Sequence, residues 1–269
     1  MFAALGNPAL FNLLLAAYIS GAAYYFIYKL CGKYKPWWVL LGSALMTAIL
    51  IPSPVFALLA IVFRVILPGG DAFKPNLNFL SALVTHFFGA GLLEELFKAL
   101  PVVAAYYIGR QVQTPWRERI GVWEPLDGIL LGAASAVGFT LVETLGQYVP
   151  IQVQNVTLEA GLGAGELLGL QLLIPRILGS VAGHMAYSGY LGYFIGLSVL
   201  KPSKRWWILG LGYLSAAGLH AFWNATASNN LLMAIVIGVL SYAFLAAAIL
   251  KARKLSPTRS HNFATRFFH

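Results

Sequence analysis

The sequence predicts an all-α fold: a polytopic transmembrane helical bundle of about seven spans, N-terminus outside and C-terminus cytoplasmic. Three observations predict it. Of 269 residues, 59% are hydrophobic and only 10% charged, where soluble domains carry about 25% charged residues, and the mean hydropathy is +0.75. The apolar residues gather into seven runs, roughly 8–28, 37–66, 79–109, 125–148, 169–199, 206–225 and 231–250, each near or above the ~20 residues that cross a bilayer. The basic residues gather in alternate links between those runs.

Taken in order, no basic stretch precedes the first run, so it is expected to stay as a helix rather than leave as a signal peptide. The next link holds Lys29, Lys33 and Lys35. The run 37–66 opens on Trp37 and Trp38, interface anchors, and contains Pro52-Ser53-Pro54, which makes it one kinked span or two short ones. Its far link balances Asp71 with Lys74. After 79–109 come Arg110, Arg117 and Arg119. The run 125–148 starts with Asp127, an end-of-helix acid within reach of Arg117 or Arg119, and its far link 149–168 holds Glu159 and Glu166 but no Lys or Arg. Lys201, Lys204 and Arg205 follow the fifth run; Trp206 and Trp207 open the sixth; Lys251, Arg253, Lys254, Arg259 and Arg266 follow the seventh.

This alternation obeys the positive-inside rule if 37–66 crosses once; two crossings invert every later loop. The net charge of +9 is therefore a topology signal, and nucleic acid is excluded as a partner. The single cysteine, Cys31, forms no internal disulfide. One transmembrane domain is expected over 1–254, with a motif-bearing core in about 85–225 and a disordered basic cytoplasmic tail over 255–269. The expected setting is the cell membrane, as a multi-pass protein with the lipid bilayer around it.

Polar residues interrupt these runs at four places. Glu94, Glu95 and Lys98 lie between Gly91 and Pro101, near the middle of 79–109. A central Asp, Lys or Arg costs about 2.5–3.5 kcal/mol on the insertion scale, so three such charges cost on the order of 8–10 kcal/mol. Lys98 falls angularly between the two glutamates, one turn on, and pairs with either. One negative charge is left, which needs a proton, a metal or another cation. Pro101 frees the carbonyl of Phe97. Glu143 lies near the outer end of the fourth run, on the face of Phe139. His184 lies deep in the fifth run, and His220 shares a face of the sixth with Asn224. At 1.5 Å per residue, Glu94 and His184 lie roughly 22 Å from the outer ends of their helices, Glu143 roughly 27 Å and His220 roughly 21 Å from the inner ends of theirs. All four fall between mid-membrane and the outer third, so a single convergent site is expected. The pairs Gly128-x-x-x-Gly132, Gly179-x-x-x-Gly183 and Gly192-x-x-x-Gly196 favour close helix approach.

Glu94-Glu95-x-x-Lys98, Asp127-Gly-x-x-x-Gly132 leading to Gly138-Phe139-x-x-x-Glu143, His184, and His220-x-x-x-Asn224 together resemble the PrsW family of intramembrane proteases, relatives of the CAAX-prenyl and bacteriocin-processing proteases. The resemblance covers about residues 85–225. It implies hydrolysis of a peptide bond in a membrane-anchored protein or peptide, such as site-1 cleavage of an anti-sigma factor. Two details depart from the expected pattern: Thr144 stands after Glu143 where Asn is expected, and Asn224 stands where some members carry Asp. The candidate catalytic set is Glu94, Glu95, Lys98, Glu143, His184, His220 and Asn224.

Two chemistries are open for that set. In one, Glu143, His184 and His220 hold Zn²⁺ in a three-ligand, one-water arrangement and Glu94 activates the water. In the other no metal is used, Glu94 is the base, and His220 with Asn224 holds the oxyanion. Glu95 and Lys98 are electrostatic partners of Glu94 in both. His86 is read as a bundle-facing side chain, and Arg176 as one that reaches to the outer interface. A proton- or cation-coupled transporter with a Glu/His relay is the alternative, although neither an inverted repeat nor paired helix breaks are present. A scaffold whose polar cluster only locks helices together is the third reading.

Overall fold

The computed structural model describes residues 8–70, 77–148, 154, 161, 179, 183–227, 230–257 and 259. Among them every regular element is helical. In chain order these are α1 (Pro8–Cys31), α2 (Trp37–Leu50), α3 (Pro54–Ile61), α4 (Phe79–His86), α5 (Leu93–Gln111), the short α6 (Trp116–Ile120) and α7 (Pro125–Glu143). They are followed by α8 over 183–200, α9 (Arg205–Ala227) and α10 (Leu231–Leu255). Single π-helical turns extend α3 (Val62–Ile66), join α4 to α5 (Phe87–Leu92) and extend α7 (Thr144–Tyr148).

The predicted runs return with their interruptions made visible. The break in 37–66 is the Pro-Ser-Pro step: Ser53 caps α3 by accepting from the Phe56 N–H, Pro54 occupies its first turn, and α2 and α3 are bent by 61°. Both features are what a helix restart requires. Among the described residues three helices are long and apolar enough to cross a membrane: Leu13–Cys31, Pro125–Gly146 and Leu232–Leu255. The bent α2–α3 pair makes a fourth if it is one span. The expected count was seven. The helix α5 fails the same test because Glu94, Glu95, Lys98 and Arg110 sit in it, and the fifth run is described only at Gly179 and from residue 183 onward. Arg176, the link 149–168 apart from two residues, and most of the tail 255–269 lie outside the described residues.

Helix α7 is the axis of the bundle. Of its span 72% is buried, against 17% for α1 and 28% for α10, and α1, α2, α5 and α10 all pack on it. Its other neighbour is α8, where two of the glycine pairs face each other. A Cβ on Gly128 would strike the carbonyl of Gly192, and one on Gly132 the carbonyl of Ser188; Cβ atoms on Gly192 and Gly196 would strike the backbone of Gly128 and Glu124. Backbones this close require glycine on both sides. The third pair does not make such a crossing, since Gly179 faces the indole of Trp223. Hydroxyls tie α5 to the same axis: Ser135 Oγ donates to the Lys98 carbonyl (2.8 Å) and meets Thr47 Oγ1 (2.6 Å), while Ser43 Oγ donates to the Leu131 carbonyl (2.9 Å).

The end of α7 that carries Asp127 is held by charge. Asp127 was expected to pair with Arg117 or Arg119; instead its carboxylate pairs with Lys33 and Lys35, each at 3.0 Å, and accepts from the Trp123 N–H at 3.0 Å. Lys33 also bonds Glu124. Lys35 donates further to the carbonyls of Gly121 (2.5 Å) and Glu118 (3.1 Å). The arginines lie instead over the tryptophans, Arg117 on Trp123 and Arg119 on Trp116, so the nearer lysines of the α1–α2 link win the acid. Burial opposes the charge on Lys33, but Asp127 and Glu124 outweigh it and hold the ammonium above the usual lysine range. Burial pushes Lys35 down, with Asp127 opposing.

Asp127→Ala leaves the fully buried Lys35 without its carboxylate. The expected loss is about 3–5 kcal/mol, read as a lowered unfolding midpoint of the purified protein in detergent.

Candidate active site

Helices α5, α7, α8 and α9 bring the predicted residues together. The π-helical turn before α5 sets the register. Gly91 within it lies so close to α9 that a Cβ would meet the Ala217 carbonyl at 2.5 Å, three residues before His220. The first turn of α5 is thereby pressed against α9, with Glu94 and Glu95 both buried. Such turns recur at functional sites.

Glu95 is the centre of the cluster. Its Oε1 pairs with Lys98 Nζ at 2.6 Å and with His220 Nδ1 at 3.0 Å, and its Oε2 accepts from Ser188 Oγ at 2.9 Å. Neither the Glu95 nor the Lys98 side chain is exposed at all. A carboxylate accepts, so His220 donates from Nδ1, and in the neutral ring its Nε2 carries a lone pair. That nitrogen faces Glu94 Oε2 at 3.7 Å, a buried oxygen with no hydrogen-bond partner among the described residues. The Tyr187 ring stacks on His220 at 5.1 Å and 18° and holds its plane.

Lys98 continues the network toward α7 and α8. Its ammonium lies 4.4 Å over the Phe139 ring and 3.0 Å from His184 Nδ1. An ammonium only donates, so His184 accepts at Nδ1 and carries its proton at Nε2, which donates to Glu143 Oε2 at 3.2 Å. Phe139, one turn before Glu143, also packs on the His184 ring at 4.9 Å. That is the physical content of their shared face.

Six of the seven expected residues therefore meet: Glu94, Glu95, Lys98, Glu143, His184 and His220. Asn224 lies one turn beyond His220 on α9, half-buried, and makes no hydrogen bond to the cluster among the described residues. His86 is half-buried at the end of α4. Two contributors were not foreseen. Ser188 stands one turn after His184, a spacing that could have marked it. Arg64, on the π-helical turn after α3, brings a guanidinium nitrogen to 3.9 Å from Glu94 Oε1; its position inside an apolar run was the available signal. Three carboxylates against Lys98 and Arg64 leave the cluster one negative charge in excess, so the deficit of positive charge expected from the motif persists.

The model of the PrsW family intramembrane metalloproteases matches residues 35–249. The chain belongs to that family. It is thus an intramembrane protease, whose substrate is a membrane protein met within a lipid environment. Searches of curated proteins and of solved structures gave no match.

A metalloprotease needs ligands, and Glu94, His184 and His220 form a buried group whose donor atoms all lie within 4.8 Å of one another. The fit is good. Glu94 Oε2 is unpartnered, and His220 Nε2 is turned toward it by the bond from Nδ1 to Glu95, the carboxylate–histidine arrangement that orients metal ligands. His184 spends both nitrogens on Lys98 and Glu143, so its use as a ligand requires one of those bonds to be given up. The excess negative charge favours a cation.

Removing Glu95 by Ala substitution strands the buried Lys98 ammonium and is expected to lower stability by about 3–5 kcal/mol. Ser188→Ala removes one donor to Glu95 and is expected to lower it by about 1–3 kcal/mol. Denaturation midpoints in detergent compare the two, and equal effects would show that Glu95 is not the hub.

Proposed function

We propose that the chain is an endopeptidase that hydrolyses a peptide bond of a single-span, membrane-anchored protein, of the kind an anti-sigma factor represents. We place all seven helical runs across the membrane, N-terminus outside. The observation that carries the reading is the Glu94–His220 pair: a buried carboxylate oxygen, without a hydrogen-bond partner among the described residues, facing the second nitrogen of an imidazole whose first bonds Glu95, in a chain of the PrsW family.

Glu94, His184 and His220 would hold the metal, zinc being the ion whose usual ligands match this set. When bound, it supplies a Lewis acid for the scissile carbonyl and a water acidic enough to attack. The residues supply the rest. Glu95 fixes the His220 tautomer so that Nε2 stays open. Lys98 neutralises Glu95, and its bond to His184 Nδ1 is the one a bound metal would replace, leaving Nε2–H directed at Glu143. Glu143, with its side chain 23% exposed, is the carboxylate placed to take the water's proton and return it to the leaving amine. Sequence reading had assigned Glu143 to the metal and Glu94 to the water. The closeness of a Glu94 carboxylate oxygen to a nitrogen of each histidine supports the exchange of roles. The histidines are ligands in either assignment.

The test is cleavage of a single-span polypeptide by purified protein in liposomes. Glu94→Gln, Glu143→Gln and His220→Asn are each expected to lower the rate by about 10²-fold or more, with the unfolding midpoints of the two glutamine variants kept near that of the wild type. Full activity in either glutamine variant would remove that residue from the mechanism. A folded wild-type protein that cuts no such polypeptide would overturn the reading.

A further inference from the structure

Arg64 occupies a position that neither the family match nor the candidate metal group explains. Its side chain is 38% exposed, unlike the buried charges around Glu95. Its Nε donates to the Gly89 carbonyl at 3.0 Å, on the π-helical turn that leads to Glu94. That anchor is rigid, because a Cβ on Gly89 would strike the backbone of Gly69. The terminal nitrogens are not spent in the same way: the approach to Glu94 Oε1, 3.9 Å, is beyond hydrogen-bond length. Among the described residues the guanidinium thus has one edge fixed and donors left over.

Arg64 also lines an open groove of about 1050 Å³ between the end of α3 and α4. Val65, Leu67, Leu80 and Val84 make its walls apolar, Ser81 adds a hydroxyl, and Arg64 is the one charged residue among its described lining. The groove and Glu94 therefore share one side chain. A polypeptide that is to be cut must be extended at the scissile bond, and an extended segment in an apolar setting has carbonyls that need donors. A planar guanidinium with free N–H groups answers that need better than an ammonium does.

We propose that the α3–α4 groove receives the extended substrate polypeptide and that Arg64 binds a main-chain carbonyl beside the scissile bond, placing that bond at Glu94. Arg64 is then a substrate-binding residue rather than a structural partner of Glu94. This deepens the proteolytic reading and rests on it, so binding is measured apart from cutting.

The probe is a fluorescently labelled single-span polypeptide that the wild-type enzyme cuts. It is titrated in nanodiscs against His184→Asn enzyme, with and without Arg64→Lys or Arg64→Gln. Loss of a charged hydrogen bond is expected to raise the dissociation constant about tenfold or more. In otherwise wild-type enzyme the same Arg64 changes raise KM to a similar degree and leave kcat within about threefold. Should Arg64→Gln fail to fold, Arg64→Lys, which keeps the charge, carries the test. An unchanged dissociation constant overturns the proposal while cleavage by the wild type still stands. So does a fall in kcat at constant KM, which would make Arg64 a partner of Glu94 alone. A folded wild type that cuts no single-span polypeptide would instead strike down the proteolytic reading, and this proposal with it.

Discussion

Glu95 and Lys98 are both wholly buried and 2.6 Å apart, and neither is tolerable in that place without the other. Desolvating a carboxylate or an ammonium costs several kcal/mol even after relaxation, and the two offset one another only because the remaining acceptor sites of Glu95 are also filled, by Ser188 on α8 and His220 on α9. One ion pair within the first turn of α5 therefore dictates where three helices sit. It also dictates chemistry. By accepting from His220 Nδ1, Glu95 leaves Nε2 open; by donating to His184 Nδ1, Lys98 turns the other nitrogen of that ring toward Glu143. The two glutamates of the motif thus divide their labour: the second builds the site and the first is left with an unpartnered oxygen in it.

The scaffold makes that division possible by bringing backbones, not only side chains, into contact. Gly128 and Gly132 on α7 meet Gly192 and Ser188 on α8, so the axis helix and the helix of His184 lie as close as main chains allow. Ser188 lends its carbonyl to this crossing and its hydroxyl to Glu95, which couples helix packing to site geometry in one residue. At the far end of α7, Asp127 ties the axis to the α1–α2 link through Lys33 and Lys35. Phe139, two turns beyond Gly132, covers Lys98 and His184 from one side.

Much of this was legible because lipid makes charge conspicuous. Glu94, Glu95, Lys98, His184 and His220 stood out against apolar runs, and a helix rise of 1.5 Å per residue was enough to expect them at one depth. What was not legible follows from the same reasoning. Ser188 is polar but cheap to bury, so only its one-turn spacing from His184 sets it apart from the other serines. Arg64 lies near the end of the run 37–66, where a long basic side chain can reach the interface at little cost. The lysine partners of Asp127 are some ninety residues away in sequence, whereas the arginines first considered are its neighbours. The π-helical turns, which set the register of Glu94 and the anchor of Arg64, leave no periodicity that hydrophobic patterning detects. Span number was the weakest inference, because the charges that build the site also erase the hydropathy of α5.

The central claim is that a site organised by Glu95 presents Glu94 and the two histidines to one metal ion. The most direct measurement is the position of that ion, from anomalous scattering at the zinc edge in crystals of active protein. The account predicts one peak at about 2.0–2.2 Å from a Glu94 carboxylate oxygen and from a nitrogen of each histidine, with Glu143 outside the coordination sphere. A peak coordinated by Glu143 in place of Glu94, or fully active protein with no peak, would contradict it.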